Sequence, residues 1–302
     1  MESDQIHPDW LSIGTWQAPD GWALRRFRVD PAAGTTPGAS LLFLTGRADF
    51  LEKYIESYDY WRRHGCSVEG FDWRGQGGSG RLLADTRIGH CDSYEPMLAD
   101  LGAYARAWMA RTPPPHFVLG HSMGGHLVLR YLAEQTPPIA GAVLLSPMLG
   151  LNSGPLPEAL ARLIAQAACL VGLAERRAWS EGKGVGSGHR QTNLTHSIAR
   201  YDQEMAWRAV DPRLDLGPPS WGWLRASWAS IARVRPTAER VLILHADHDP
   251  LVRARAIRSL AARLAHARCL GHPTAAHELL REIDPIRLWA LEEIGRFIGT
   301  NA

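Results

Sequence analysis

The chain places a serine where it could act as a nucleophile. Gly120-His121-Ser122-Met123-Gly124-Gly125 follows the apolar run His116-Phe117-Val118-Leu119 and leads into a helix-length stretch, His126 to Glu134. A G-x-S-x-G sequence between strand and helix is the form of a nucleophile elbow. The turn is tight, so side chains at Gly120 and Gly124 would collide with neighbouring backbone. In return the Ser122 hydroxyl is held clear of the sheet, beside a helix N-terminus that favours developing negative charge. The plain alternative is a glycine-rich turn with a bystander serine.

A serine hydroxyl needs a base, and the base needs an orienting carboxylate. After an elbow of this kind the chain order is Ser, acid, His. Two acids follow the apolar run Val241-Leu242-Ile243-Leu244-His245, namely Asp247 and Asp249. Both lie just past a strand end, at the ligand-facing edge of a parallel sheet. Asp247 would equally serve to cap the turn, and His248 between them reads as a solvated loop residue. The later histidines are His266, His272 and His277. His266 falls at the end of the apolar-periodic stretch Ala254 to Ala265. His272 is followed by Pro273 and reads as a strand terminus. His277 stands at a loop tip before the C-terminal helix and is the candidate base. Acyl transfer also needs donors for an oxyanion. One is the backbone N–H of Met123. The other comes from the loop Thr45-Gly46-Arg47-Ala48-Asp49, where counting from the glycine selects the N–H of Arg47. This chemistry needs no cofactor and no metal.

The elements that must carry these residues show as an alternation. Leu41 to Leu44, Ser67 to Phe71, Phe117 to Gly120, Ala142 to Leu145 and Val241 to His245 are short apolar runs, as expected of strands buried on both faces. Helix-length stretches separate them: Leu51 to His64, Tyr94 to Met109 and Met123 to Glu134. Two more strand-like runs lie in residues 10–29, ending in Trp22-Ala23-Leu24 and Phe27-Arg28-Val29, and a short one covers Ala267 to Leu270. The pattern predicts an α/β fold: a mostly parallel, doubly wound sheet with helices on both faces. It breaks between about Gly150 and Pro236, where helical patches such as Leu160 to Leu173 occur with a glycine-rich stretch, residues 182–188, and the turn Gly217-Pro218-Pro219. The expected organisation is core 1–149, an inserted mainly helical cap 150–236, and core 237–302.

Composition narrows the partners. With 33 basic and 31 acidic residues the net charge is +2, which argues against nucleic acid. Only Lys53 and Lys183 are lysines. The four cysteines, Cys66, Cys91, Cys169 and Cys269, have no zinc or disulfide spacing and read as free thiols of a reducing compartment. The acidic start, Met1-Glu2-Ser3-Asp4-Gln5, is no signal peptide, and no apolar stretch is long enough to span a membrane. The expectation is a cytoplasmic protein, at most peripheral to the inner face of the membrane. The 12 Trp are unusual. Five fall in the insertion: Trp179, Trp207, Trp221, Trp223 and Trp228. They are candidates to cover an acyl chain or to touch a membrane transiently; the plain alternative is that they pack the cap's own core.

From about residue 40 to 298 the chain resembles the α/β-hydrolase superfamily, within it the lysophospholipase and monoacylglycerol-lipase-like group. The resemblance rests on the elbow, on Phe71-Asp72-Trp73-Arg74-Gly75-Gln76-Gly77-Gly78-Ser79, and on His277-Glu278-Leu279-Leu280-Arg281-Glu282. The loop from Thr45 to Tyr54, with Asn193-Leu194-Thr195-His196 and Trp221-Gly222-Trp223-Leu224-Arg225, is similar to the bacterial lysophospholipase branch. Thr45-Gly46 stands where the lipase pattern has His-Gly, and Asp49 where it has Glu. The resemblance favours Asp249 over Asp247, and implies an α/β-hydrolase fold and a serine hydrolase cleaving carboxylic esters. The implied substrate is a small-molecule or lipid ester, such as a lysophospholipid or monoacylglycerol. Thioesterase, peptidase or carbon–carbon hydrolase activity on the same scaffold, or a non-catalytic ligand-binding relative, are the alternatives. Oligomeric state is open.

Overall fold

The computed structural model describes residues 7–180 and 190–299, so the glycine-rich stretch 182–188 and the first six residues lie outside the described part. Eight strands form one sheet: β1 Leu11–Gln17, β2 Ala23–Val29, β3 Ser40–Leu44, β4 Ser67–Phe71, β5 His116–His121, β6 Gly141–Leu145, β7 Val241–Ala246 and β8 Ala267–His272. Their spatial order is β1-β2-β4-β3-β5-β6-β7-β8. The strands from β3 to β8 run parallel, and β1 and β2 add an antiparallel edge.

Successive residues of the central strands enter opposite cores, which is the physical content of an all-apolar run. Leu42, Leu44, Val118, Ala142, Leu144, Val241 and Ile243 face one core. Their neighbours Leu41, Phe43, Phe117, Leu119, Val143, Leu145, Leu242 and Leu244 face the other. The first core is covered by α2 (Glu95–Arg111), α3 (Met123–Gln135) and α8 (Ala254–Ala261). The second is covered by α1 (Ile55–Arg63) and α9 (Asp284–Ile298).

Two sequence expectations need correction. Trp22-Ala23-Leu24 is not the end of a first strand but the entry to β2; the first strand is Leu11–Gln17. That strand is a half-exposed edge carrying Ser12, Gly14 and Thr15, so it has no continuous apolar run to betray it. The helix expected over 254–265 stops at Ala261, which leaves His266 beyond its end, just before β8.

Between β6 and β7 the chain forms α4 (Glu158–Leu170), α5 (Arg190–Leu194), α6 (Ile198–Val210) and α7 (Trp221–Ala232), with no named strand among the described residues there. Among the described residues the insertion packs on the body: Ala165, Trp223, Leu224 and Trp228 join the same cluster as Tyr94, Met97 and Leu127. No helix of the described residues is long and apolar enough to cross a membrane.

Candidate active site

The elbow follows from backbone geometry. Ser122 joins β5 to α3 at φ 52° and ψ −114°, a conformation that L residues adopt only under constraint, at a cost of roughly 1–3 kcal/mol. Three backbone hydrogen bonds impose it: the Ser122 amide donates to the Leu145 carbonyl at 2.9 Å, and its carbonyl accepts from His126 and Met148, each at 3.0 Å. A Cβ on Gly120 would sit 2.7 Å from the Gly124 carbonyl. One on Gly124 would sit 2.4 Å from the Thr45 oxygen. Both glycines are therefore required for close approach.

The three candidate side chains form one line. His277 Nε2 lies 2.9 Å from Ser122 Oγ, and its Nδ1 lies 2.7 Å from Asp249 Oδ2. The other Asp249 oxygen accepts from the amides of Leu251 at 2.8 Å and Val252 at 3.0 Å. Burial alone would push the Asp249 carboxyl up, but His277 and these amides outweigh it and hold it below the usual carboxylate range. An ionised Asp249 fixes the tautomer: Nδ1–H donates to Asp249, leaving Nε2 to accept from the Ser122 hydroxyl. Burial would likewise lower His277, yet Asp249, aided by Glu278 and Asp49, raises it above the ordinary imidazole value. Asp247 turns away and pairs with Arg258 at 3.1 Å. His248 is exposed, and the His272 ring lies 5.0 Å from that of Trp289.

The loop after β3 is braced against the elbow. The Cβ position of Gly46 is 3.1 Å from Ser122 Cβ. Gln76 spans the loop, donating to the Gly46 carbonyl at 2.6 Å and accepting from the Ala48 amide at 3.2 Å. Trp73 Nε1 donates to the Thr45 carbonyl at 2.8 Å. The Gly46 amide is taken by Asp49 at 2.9 Å. Among the described residues, the amides of Arg47 and Met123 donate to no protein acceptor, as an oxyanion site requires. The Asp-Trp-Arg-Gly-Gln motif thus has a local purpose, to hold this loop.

A buried ionic cluster behind the site escaped the sequence reading. Lys53 Nζ contacts Asp49, Glu278 (2.7 Å) and Glu204 (3.1 Å). Arg281 bridges Glu204 and Glu278, both at 2.7 Å, and Arg190 and Arg208 complete the shell of Glu204. Burial would lower the Lys53 ammonium, but the three carboxylates win and raise it. Asp49 also meets His121 Nδ1 at 3.1 Å, and the His121 ring lies 4.9 Å from that of His277. The insertion grips the His277 loop through backbone as well: the amides of His277 and Glu278 donate to the carbonyls of Asn193 (3.2 Å) and Leu194 (2.8 Å). The one available signal was Lys53 itself, one of two lysines in a chain that otherwise uses arginine.

The five insertion tryptophans separate. Trp223 is buried, packs edge-on to Tyr94 and lies under the Arg47 guanidinium at 5.2 Å. Trp228 is buried, and Trp179 and Trp221 are half-buried against the same core. Trp207 stacks on His7 at 5.1 Å and is not brought to this cluster. All four cysteines are free.

A family model described as "Serine aminopeptidase, S33" matches residues 35–284. Lysophospholipase L2 of Escherichia coli is 31% identical over 284 residues, covering 85% of this chain and 79% of that protein. A probable lysophospholipase L2 of Haemophilus influenzae is 28% identical over 274 residues, covering 87% and 84%. Among solved structures, a soluble variant of monoglyceride lipase from Saccharomyces cerevisiae, in complex with a substrate analog, superposes with a TM-score of 0.74 at 16% identity, covering 98% and 97% of the two chains. A carboxyl esterase from Bacillus coagulans gives 0.72 at 18%, covering 97% and 99%. At such identities these structures speak for the α/β-hydrolase fold alone.

Proposed function

We propose, for a chain that belongs to the serine aminopeptidase S33 family of α/β hydrolases, that Ser122, His277 and Asp249 cleave carboxylic esters of monoacyl lipids through an acyl-enzyme. The observation that carries this reading is the unbroken hydrogen-bonded line from Ser122 Oγ through His277 to Asp249, at 2.9 and 2.7 Å. Ser122 Oγ attacks the ester carbonyl while its proton passes to His277 Nε2. The amides of Met123 and Arg47 receive the oxyanion, and Asp249 stabilises the imidazolium. His277 returns the proton to the departing alcohol. It then activates water, which releases the fatty acid from Ser122. Gly120, Gly124 and His121 shape the elbow.

The matched family description names a peptidase, but the site's charge favours esters. An aminopeptidase must seat a free ammonium group near its nucleophile. The side chain rooted beside Ser122 is the cation Arg47, which has no carboxylate partner among the described residues. The acids around the site are committed elsewhere, Asp249 to His277 and Asp49, Glu204 and Glu278 to Lys53 and Arg281. Relatives named lysophospholipase lead to a monoacyl lipid.

We assign residues 1–149 and 237–302 to the catalytic body and 150–236 to a cap, with Trp223 as the tryptophan best placed to meet substrate. Contact with a lipid surface is assigned to α4, whose Leu160, Leu163, Ile164 and Leu170 are exposed. Four free thiols fit work on the cytoplasmic side.

A substrate panel tests the reading. Purified protein releases fatty acid from lysophosphatidylcholine or 1-monoacylglycerol and does not turn over an aminoacyl p-nitroanilide. The Ser122→Ala variant releases none. Anilide turnover exceeding ester turnover would overturn the assignment.

A further inference from the structure

We propose that the Arg47 side chain is the receptor for a phosphate diester on the substrate, so that the site recognises the head group of a lysophospholipid; this rests on the monoacyl-ester reading above. The residue is rooted in the loop that packs on Ser122, one position after Gly46. Its guanidinium reaches away from the sheet and under the insertion. There Nη2 donates to the Gly217 carbonyl at 2.5 Å, and the group lies over the Trp223 ring at 5.2 Å. Nε is shut off from solvent and has no acceptor. Of five N–H donors, one is engaged.

No carboxylate among the described residues lies within ion-pair distance of it. The neighbouring cations, by contrast, all have carboxylate partners: Arg208 has Glu204 and Asp215, Arg190 has Glu204, and Lys53 has three acids. Burial lowers Arg47 to about 10, so it stays charged at neutral pH. The groups opposing that shift are Tyr94 and Cys91. Burial pushes both of these up, so neither supplies a negative charge near neutrality.

A half-buried cation without a counter-ion is costly to keep. A strap between loop and cap would need only the single bond to Gly217. The unspent donors form the planar fork that suits a phosphate. The arrangement also explains how one residue could read both ends of a lysophospholipid. Its amide faces the oxygen of the scissile ester, and its guanidinium takes the phosphate across the glycerol.

The test compares kcat/KM for a lysophosphatidylcholine and a 1-monoacylglycerol of the same acyl chain in wild type, R47Q and R47K. Any general damage to the oxyanion loop lowers both substrates and cancels in their ratio. Wild type should favour the lysophospholipid. R47Q should lower the ratio about tenfold or more, the usual scale for losing a charged hydrogen bond, and R47K should lower it less. A ratio unmoved in R47Q, with both lipids still cleaved, overturns the head-group role and leaves the esterase reading standing. Failure of wild type to cleave either lipid, with Ser122-dependent turnover of a short p-nitrophenyl ester intact, removes the lipid reading and this proposal with it. Inhibition by inorganic phosphate in wild type but not R47Q, with an unmoved ratio, would mark a free-anion site and also overturn it. Should R47Q not fold, wild type decides. Dodecylphosphocholine must inhibit ester hydrolysis more strongly than 1-O-dodecylglycerol, and equal inhibition contradicts the proposal.

Discussion

His277 can take the Ser122 proton only while its Nε2 is unprotonated. Asp249, with Glu278 and Asp49 behind it, raises the imidazole above its ordinary value near 6.5. A raised base is protonated to higher pH, so activity should fall as pH drops through a midpoint above about 6.5. A kcat/KM profile measured from pH 5 to 9 checks this. In Asp249→Asn the support is lost, the midpoint moves down, and kcat falls roughly 10³–10⁴-fold through the wrong tautomer. A midpoint at or below 6.5 in wild type would contradict the coupling. At this scale, the candidate nucleophile and candidate base were legible because each sits at a chain-local landmark, a strand–helix turn or the loop before the last helix. The acid was not decided locally, since Asp247 and Asp249 follow the same strand. What separates them is direction, Asp247 towards Arg258 and Asp249 towards His277.

The helix α4 gives the insertion an outward apolar face. It buries only Ala165, whereas Leu163 is 60% exposed, Leu170 87% and the following Val171 72%. The tryptophans, by contrast, face inward: Trp223 and Trp228 are packed into the body, and Trp221 is half-buried. An aliphatic helix face beside an exposed Arg162 suits shallow seating in a lipid interface better than those buried rings do. The pair Leu163→Glu and Leu170→Glu should abolish co-sedimentation with phosphatidylglycerol-containing liposomes. It should leave hydrolysis of a short, monomeric p-nitrophenyl ester intact. Undiminished sedimentation would rule out docking through α4. Sequence composition signalled an aromatic-rich insertion but not which way its rings point, because burial depends on partners such as Tyr94 and Met97 in the body.

Across the whole molecule, the central strands were legible because burial on both faces demands an apolar side chain at every position. The half-exposed β1 has no such demand and was misplaced. The ionic latch between insertion and body was hidden for a different reason: Lys53 and Glu278 are 225 residues apart, and no local pattern links them. Charge clusters of this kind belong to the folded chain, and here the latch joins Glu204 of α6 to the loop that carries His277. All of these features converge on one oxygen atom, so the most direct measurement is to find where the acyl group goes. Wild type is mixed with excess p-nitrophenyl butyrate, quenched in acid within the pre-steady-state burst, digested and analysed by mass spectrometry. A butyryl group is expected on the peptide carrying Ser122, with neither adduct nor turnover in Ser122→Ala. An acyl group on any other side chain, or hydrolysis that survives in Ser122→Ala, would contradict the assignment of Ser122.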